Sequence, residues 1–212
     1  SAILNYGTLT LNDVEINGAP IVDGGWPSYA INNYGNLTVN SADIKTYHGA
    51  IATGDKGVTV INDASVDVGQ STQTKQTSWA LYVFEDGQLT VNGGIFKNTK
   101  DEKNKVYGGG YVFATSTKET IINGGTFEKT EADNNGTGIY YNCTNLVING
   151  GVFDTNPTKY VAEGSAVVEN NGAYTVIPTT LKDGGVLDLG GVEYNDTITV
   201  EGNVTIKGDT KV

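Results

Sequence analysis

The chain has 212 residues, with thirteen lysines, no arginine, 24 acidic residues and a net charge of −11. That balance argues against a nucleic-acid partner, whose phosphates need basic contacts, and against acidic polysaccharide held by bidentate arginine clamps. With 29 glycines and no apolar run long enough to span a membrane, the composition favours many short strands and tight turns, without membrane insertion.

The most regular feature is a short strand that ends in asparagine. It occurs as Leu9-Thr10-Leu11-Asn12, Leu37-Thr38-Val39-Asn40, Thr59-Val60-Ile61-Asn62, Leu89-Thr90-Val91-Asn92, Thr120-Ile121-Ile122-Asn123 and Leu146-Val147-Ile148-Asn149. The asparagines lie 28, 22, 30, 31 and 26 residues apart. A period in this range is the signature of stacked solenoid coils. A further strand follows each asparagine, as in Val14-Glu15-Ile16 and Gly125-Thr126-Phe127, and another precedes it across a glycine turn. Each coil therefore holds three strands. The fold expected is an all-β, right-handed parallel β-helix of about six coils over residues 1–154, about 29 Å tall at the parallel-strand spacing.

Alternation places Leu9, Leu11 and Ile16 on one side and Thr10 and Glu15 on the other. Stacked coils then form inward columns, Ile16-Ile44-Val66-Phe96-Phe127-Phe153 and Leu11-Val39-Ile61-Val91-Ile122-Ile148. The six asparagines are assigned to a structural amide ladder, because Asn satisfies bend backbone groups, tolerates left-handed φ and stacks on its copies.

Coil length varies mainly between the third strand and the next first strand, where solenoid insertions commonly build a functional face. After Phe153 the pattern changes. Residues 155–178 read as a β-hairpin around Asn171-Gly172, serving as cap or linker. Residues 179–212 read as a short-strand extension that either caps the rod or begins another β module. The chain opens in mid-coil, consistent with a mature product or a piece of something longer.

Three strands per coil, an asparagine bend and a variable third turn resemble the pectate-lyase-type right-handed parallel β-helix. Ala30-Ile31-Asn32-Asn33-Tyr34-Gly35, Asn123-Gly124-Gly125-Thr126-Phe127 and Tyr160-Val161-Ala162-Glu163-Gly164 resemble repeats in large surface proteins of gut Gram-positive bacteria. Phage tailspikes and fibres share the architecture. The resemblance implies an extracellular, cell-surface or virion-surface location. It is specific for fold and poor for activity, since one solenoid hosts many functions.

Pectate-lyase relatives that cleave polysaccharide use a calcium-binding acid cluster with a basic residue, or paired aspartates on the first-strand face. The first strands here carry Asn32, Ala52, Tyr82, Phe113 and Tyr140 at the outward position, without a carboxylate pair. No catalytic, metal or cofactor site is therefore assigned. His48 is the single histidine, read as a structural loop residue, and the single Cys143 as a packed thiol.

The strongest non-structural signal is aromatic. Tyr82, Phe113 and Tyr140 form an outward column, with Trp26, Tyr29, Tyr47, Trp79, Tyr107 and Tyr111 at loop edges beside it. The candidate ligand-binding set is Tyr82, Phe113, Tyr140, Trp26, Trp79 and Tyr107, suited to sugar rings or a protein partner. The opposing reading is that loops fold over this column and make a second small core. The expectation is a non-catalytic surface or adhesin module that binds polysaccharide or a surface protein. The alternatives are a polysaccharide-degrading enzyme of tailspike type and a structural subunit that packs as a homotrimer.

Overall fold

Short β-branched strands separated by Asn and Gly cannot bury a face alone, so each must stack on its copy in the next coil. The computed structural model describes residues 1–18, 29–46, 48–68, 78–98, 109–129, 138–188 and 193–207. The first two rungs are β1 (Ile3–Asn5), β2 (Thr8–Leu11) and β3 (Val14–Asn17), then β4 (Tyr29–Asn33), β5 (Asn36–Val39) and β6 (Ala42–Thr46). They are followed by β7 (Gly49–Thr53), β8 (Val58–Ile61) and β9 (Ser65–Val68), and by β10 (Ser78–Val83), β11 (Gln88–Val91) and β12 (Ile95–Asn98). The last two are β13 (Gly109–Ala114), β14 (Thr120–Ile122) and β15 (Thr126–Lys129), then β16 (Gly138–Ile139), β17 (Leu146–Ile148) and β18 (Gly151–Phe153). Every third strand pairs, parallel, into one of three sheets: β1-β4-β7-β10-β13-β16, β2-β5-β8-β11-β14-β17, and β3-β6-β9-β12-β15-β18. The chain is thus a parallel β-solenoid.

The inward columns run in register. Ile16, Ile44, Val66, Phe96, Phe127 and Phe153 pair rung to rung and are all buried. The phenyl rings stack nearly parallel, Phe96 on Phe127 at 4.9 Å and Phe127 on Phe153 at 4.7 Å. Leu11, Val39, Ile61, Val91, Ile122 and Ile148 form the buried column of the second sheet.

Each ladder asparagine after Asn12 donates its amide to the one on the preceding rung. Asn40 bonds Asn12 at 2.8 Å, Asn62 bonds Asn40 at 2.8 Å, and Asn92 bonds Asn62 at 2.9 Å. Asn123 bonds Asn92 and Asn149 bonds Asn123, each at 2.9 Å. The left-handed backbone expected of these asparagines falls beside them instead, on Asp13 (φ 52°), Gly94 (109°), Gly125 (109°) and Gly151 (117°). Their own backbone N–H groups still extend the second sheet, as in Asn40 to the Leu11 carbonyl, so the bend is made after them.

A hairpin closes the rod at one end. β19 (Ser165–Asn170) and β20 (Ala173–Pro178) pair antiparallel across Asn171 (φ 50°) and Gly172 (φ 81°), the dihedrals a type I′ turn needs. β20 lies antiparallel on β18, and a bridge from Val161 to Ile148 covers the second sheet. Beyond it the pairing becomes parallel again. β21 (Thr180–Lys182) pairs with β23 (Thr199–Glu201), and β22 (Val186–Asp188) with β24 (Thr205–Lys207). Ile177, Leu181 and Leu187 form a small second core there. This extension repeats the solenoid logic at a shorter period.

Phe127→Ala removes the middle of a stacked, fully buried column and is expected to destabilise the chain by about 3–5 kcal/mol. Asn92→Ala removes two exposed amide bonds and is expected to cost about 1–2 kcal/mol. Urea unfolding followed by circular dichroism measures both, and equal losses would contradict this ranking.

Candidate functional site: an aromatic ribbon on the first sheet

Ile31, Ile51, Leu81, Val112 and Ile139 point into the core, all at most 4% exposed. Their neighbours Tyr82, Phe113 and Tyr140 consequently face outward, and each is half-buried. Tyr82 and Phe113 share a register position, with ring centroids 5.0 Å apart edge to face. Phe113 stacks on Tyr140 at 4.0 Å.

The outward set is wider than that column. Tyr82 stacks on Phe84 at 4.9 Å and on Tyr29 at 5.6 Å. Phe84 meets Tyr34 edge-on at 6.4 Å, and Tyr34 stacks on Tyr6 at 5.3 Å. At the other end Tyr140 meets Tyr141 at 4.7 Å. With Trp79, nine rings form one continuous ribbon along the rod. Offset-stacked and edge-to-face pairs are the arrangements the ring quadrupole favours.

Large side chains fit on adjacent rungs because small ones sit beside them. A Cβ on Gly49 would come within 2.3 Å of the Tyr29 ring, and one on Gly54 within 2.3 Å of the Phe84 ring. The two rings therefore lie flat over bare backbone. Ala52 is buried in the Tyr82 column. The bulky residues thus lean across the small positions.

Buried amides hold the turns beneath. Asn5 donates to Asn33 at 2.7 Å, and Asn33 donates to the Thr59 hydroxyl at 2.9 Å, which in turn meets Thr53 at 2.7 Å. Asn5 and Asn33 also accept from the N–H groups of Gly7 and Gly35, fixing the turns that carry Tyr6 and Tyr34. At the opposite end, the Tyr160 hydroxyl donates to the Tyr140 carbonyl at 3.0 Å and the Lys159 ammonium to the Tyr141 carbonyl at 2.6 Å. A one-turn 3-10 helix, Thr158–Tyr160, thereby pins the end of the ribbon.

Of the sequence-derived set, Tyr82, Phe113 and Tyr140 come together. Trp79 adjoins them, edge-on to Phe113 at 5.2 Å and to Tyr140 at 6.1 Å, but is only 7% exposed and backs the surface. Trp26, Tyr47 and Tyr107 lie outside the described residues. Tyr111, expected beside this face, is instead fully buried inside the solenoid, between Phe127 and Phe153. Its hydroxyl donates to Asp154 Oδ1 at 3.2 Å, and it continues the inward position that Ala30, Ala50 and Ala80 hold on the preceding rungs, all of them buried in the core. His48, read as a structural loop residue, lies in a bend just before β7 and is buried. Tyr6, Tyr34 and Phe84 were not anticipated. The repeated turn phrase Asn5-Tyr6-Gly7 and Asn33-Tyr34-Gly35 was the available signal.

Burial raises the phenol of Tyr29 well above its ordinary range, with the adjacent Tyr82 adding to the effect. Tyr82 is raised by burial and by the negative charge of Glu85. The rings therefore present neutral hydroxyls and flat faces. Behind Tyr140, burial pushes the Cys143 thiol up to about 11, opposed by the hydrogen bond its sulfur accepts from the Ala114 N–H. Among the described residues no three His, Cys, Asp or Glu side chains converge on a metal-sized site. Comparison with known proteins finds no matching family model, no matching curated protein and no matching solved structure.

Gly54→Ala is expected to displace the Phe84 ring and break its stack with Tyr82, read as a changed near-ultraviolet circular dichroism signal with the far-ultraviolet signal retained. The raised thiol gives a pH dependence of definite sign. The folded state binds the thiol proton more tightly than the unfolded chain, so its stabilisation is complete below the unfolded thiol value and is lost as pH rises through about 11. Thermal unfolding from neutral pH to pH ~11 should fall more steeply for wild type than for Cys143→Ala. Parallel pH profiles for the two proteins would rule this out.

Proposed function

We propose that this chain is a non-catalytic module of an extracellular surface protein or fibre, a rigid solenoid that holds an aromatic ribbon against a carbohydrate or protein partner. The single observation carrying this reading is the nine-ring ribbon that runs along the first sheet and its flanking turns. Six stacked rungs and buried amide networks hold those rings, so little conformational entropy is lost when a ligand seats on them. Flat faces edged by neutral hydroxyls suit the C–H face and hydroxyl rim of a sugar ring. The acidic net charge directs the preference to neutral partners.

Replacing Tyr82 and Tyr140 together with Ala should reduce binding to at least one glycan of an immobilised array by tenfold or more while thermal unfolding still shows a folded solenoid. Retained binding would remove the ribbon from the reading. Release of reducing or unsaturated sugar ends from a polysaccharide would replace it with an enzymatic one.

A further inference from the structure

Among the described residues, two outer grooves of the solenoid differ sharply in chemistry. One, of about 520 Å³ at the start of the third sheet, is lined by Asp13, Glu15, Asp43 and Asp63. The other, of about 850 Å³, lies where the C-terminal extension meets the glycine bends of the last rungs. Among the described residues its lining contains no Asp or Glu and one charged residue, Lys182. In a chain with 24 acids against thirteen lysines, this groove is lined instead by amides and hydroxyls.

The amide ladder ends in that groove. All five of its hydrogen bonds run the same way, each Nδ2 donating to the Oδ1 of the preceding rung. Bonds aligned in series polarise one another, which makes the last oxygen in the series a stronger acceptor than an isolated amide. That oxygen is Asn149 Oδ1. Its amide nitrogen is committed to Asn123, and among the described residues no donor reaches the oxygen. Thr126, Thr175 and Thr180 add hydroxyls to the same lining, while Val152, Pro178 and Val186 supply an apolar wall. Val186 and Val152 are 48% and 36% exposed.

We propose that this groove binds a neutral, hydroxyl-rich saccharide. One hydroxyl of the sugar donates to Asn149 Oδ1, and its C–H face rests on Val152 and Val186. A uronate chain would be repelled by the net charge of −11 and would find, among the described residues of the lining, only Lys182 to pair with. The volume lies in the range of pockets that hold small ligands. The site is separate from the aromatic ribbon and does not depend on it.

Calorimetric titration of the whole chain tests this, with maltohexaose, cellohexaose and xylohexaose as neutral probes and hexagalacturonate as the charged one. The expected result is saturable heat with at least one neutral hexaose and none with hexagalacturonate. Val186→Arg, at an exposed position, should weaken that binding tenfold or more, and Asn149→Leu, which removes the terminal acceptor, should do the same. Both should unfold at temperatures close to that of wild type. Tyr82→Ala with Tyr140→Ala should leave this heat in place. The proposal is overturned if no neutral hexaose gives saturable heat, if hexagalacturonate binds in preference, or if Val186→Arg binds as wild type does. Heat lost only in the tyrosine double variant would assign the sugar to the ribbon and likewise overturn the groove.

Discussion

Everything in this molecule depends on parallel, in-register backbone pairing between rungs. Once Ile16 is opposite Ile44 and Ile44 opposite Val66, every other residue of those strands is also stacked on its counterpart one rung away. Each side chain then experiences its homologue above and below at the strand spacing, about 4.8 Å. A position suits this arrangement only if its residue type packs well against itself. Phenyl rings do so by stacking, as Phe96, Phe127 and Phe153 do, and amides by donating and accepting in series, as the ladder asparagines do. Charges do not, and the outward row Lys45, Asp67, Lys97, Glu128 alternates in sign accordingly.

The same constraint shapes the candidate binding surfaces. Rings on adjacent rungs are crowded, so the first sheet intersperses Gly49, Ala52 and Gly54 among its aromatics and lets the rings lean over them. A row of amides held head to tail acquires a direction, which leaves its last oxygen without a donor among the described residues, in the groove beside the C-terminal extension. Both features are consequences of repetition.

A solenoid separates scaffold from site more cleanly than a globular fold, because its core columns leave the outward positions free to vary. The three outward faces differ accordingly. The first sheet is aromatic, the start of the third is acidic, and the bend beside the C-terminal extension is neutral and hydroxyl-lined. The hairpin of β19 and β20 joins the rod to that extension by reversing strand direction once, which covers the edge of β18 and ends the first solenoid.

The strand count per coil, the inward columns and the asparagine positions were legible in the sequence, because a repeating backbone imposes a repeating pattern on residue types. The outward placement of Tyr82, Phe113 and Tyr140 followed from alternation alone. Tyr111 did not follow, since it continues the buried Ala30, Ala50 and Ala80 position, where two consecutive residues of each first strand face the core and strict alternation fails. The extension of the ribbon through Tyr6, Tyr34 and Phe84 was also hidden. These residues sit in turns, where period-two alternation carries no information, and for Tyr6 and Tyr34 the buried Asn5–Asn33 pair fixes the turn. Sequence by itself determined the solenoid and its columns, which are set by local period. Only tertiary structure decided which rings meet across the turns and that the ladder ends in a groove, because both depend on contacts between residues without a fixed spacing in the chain.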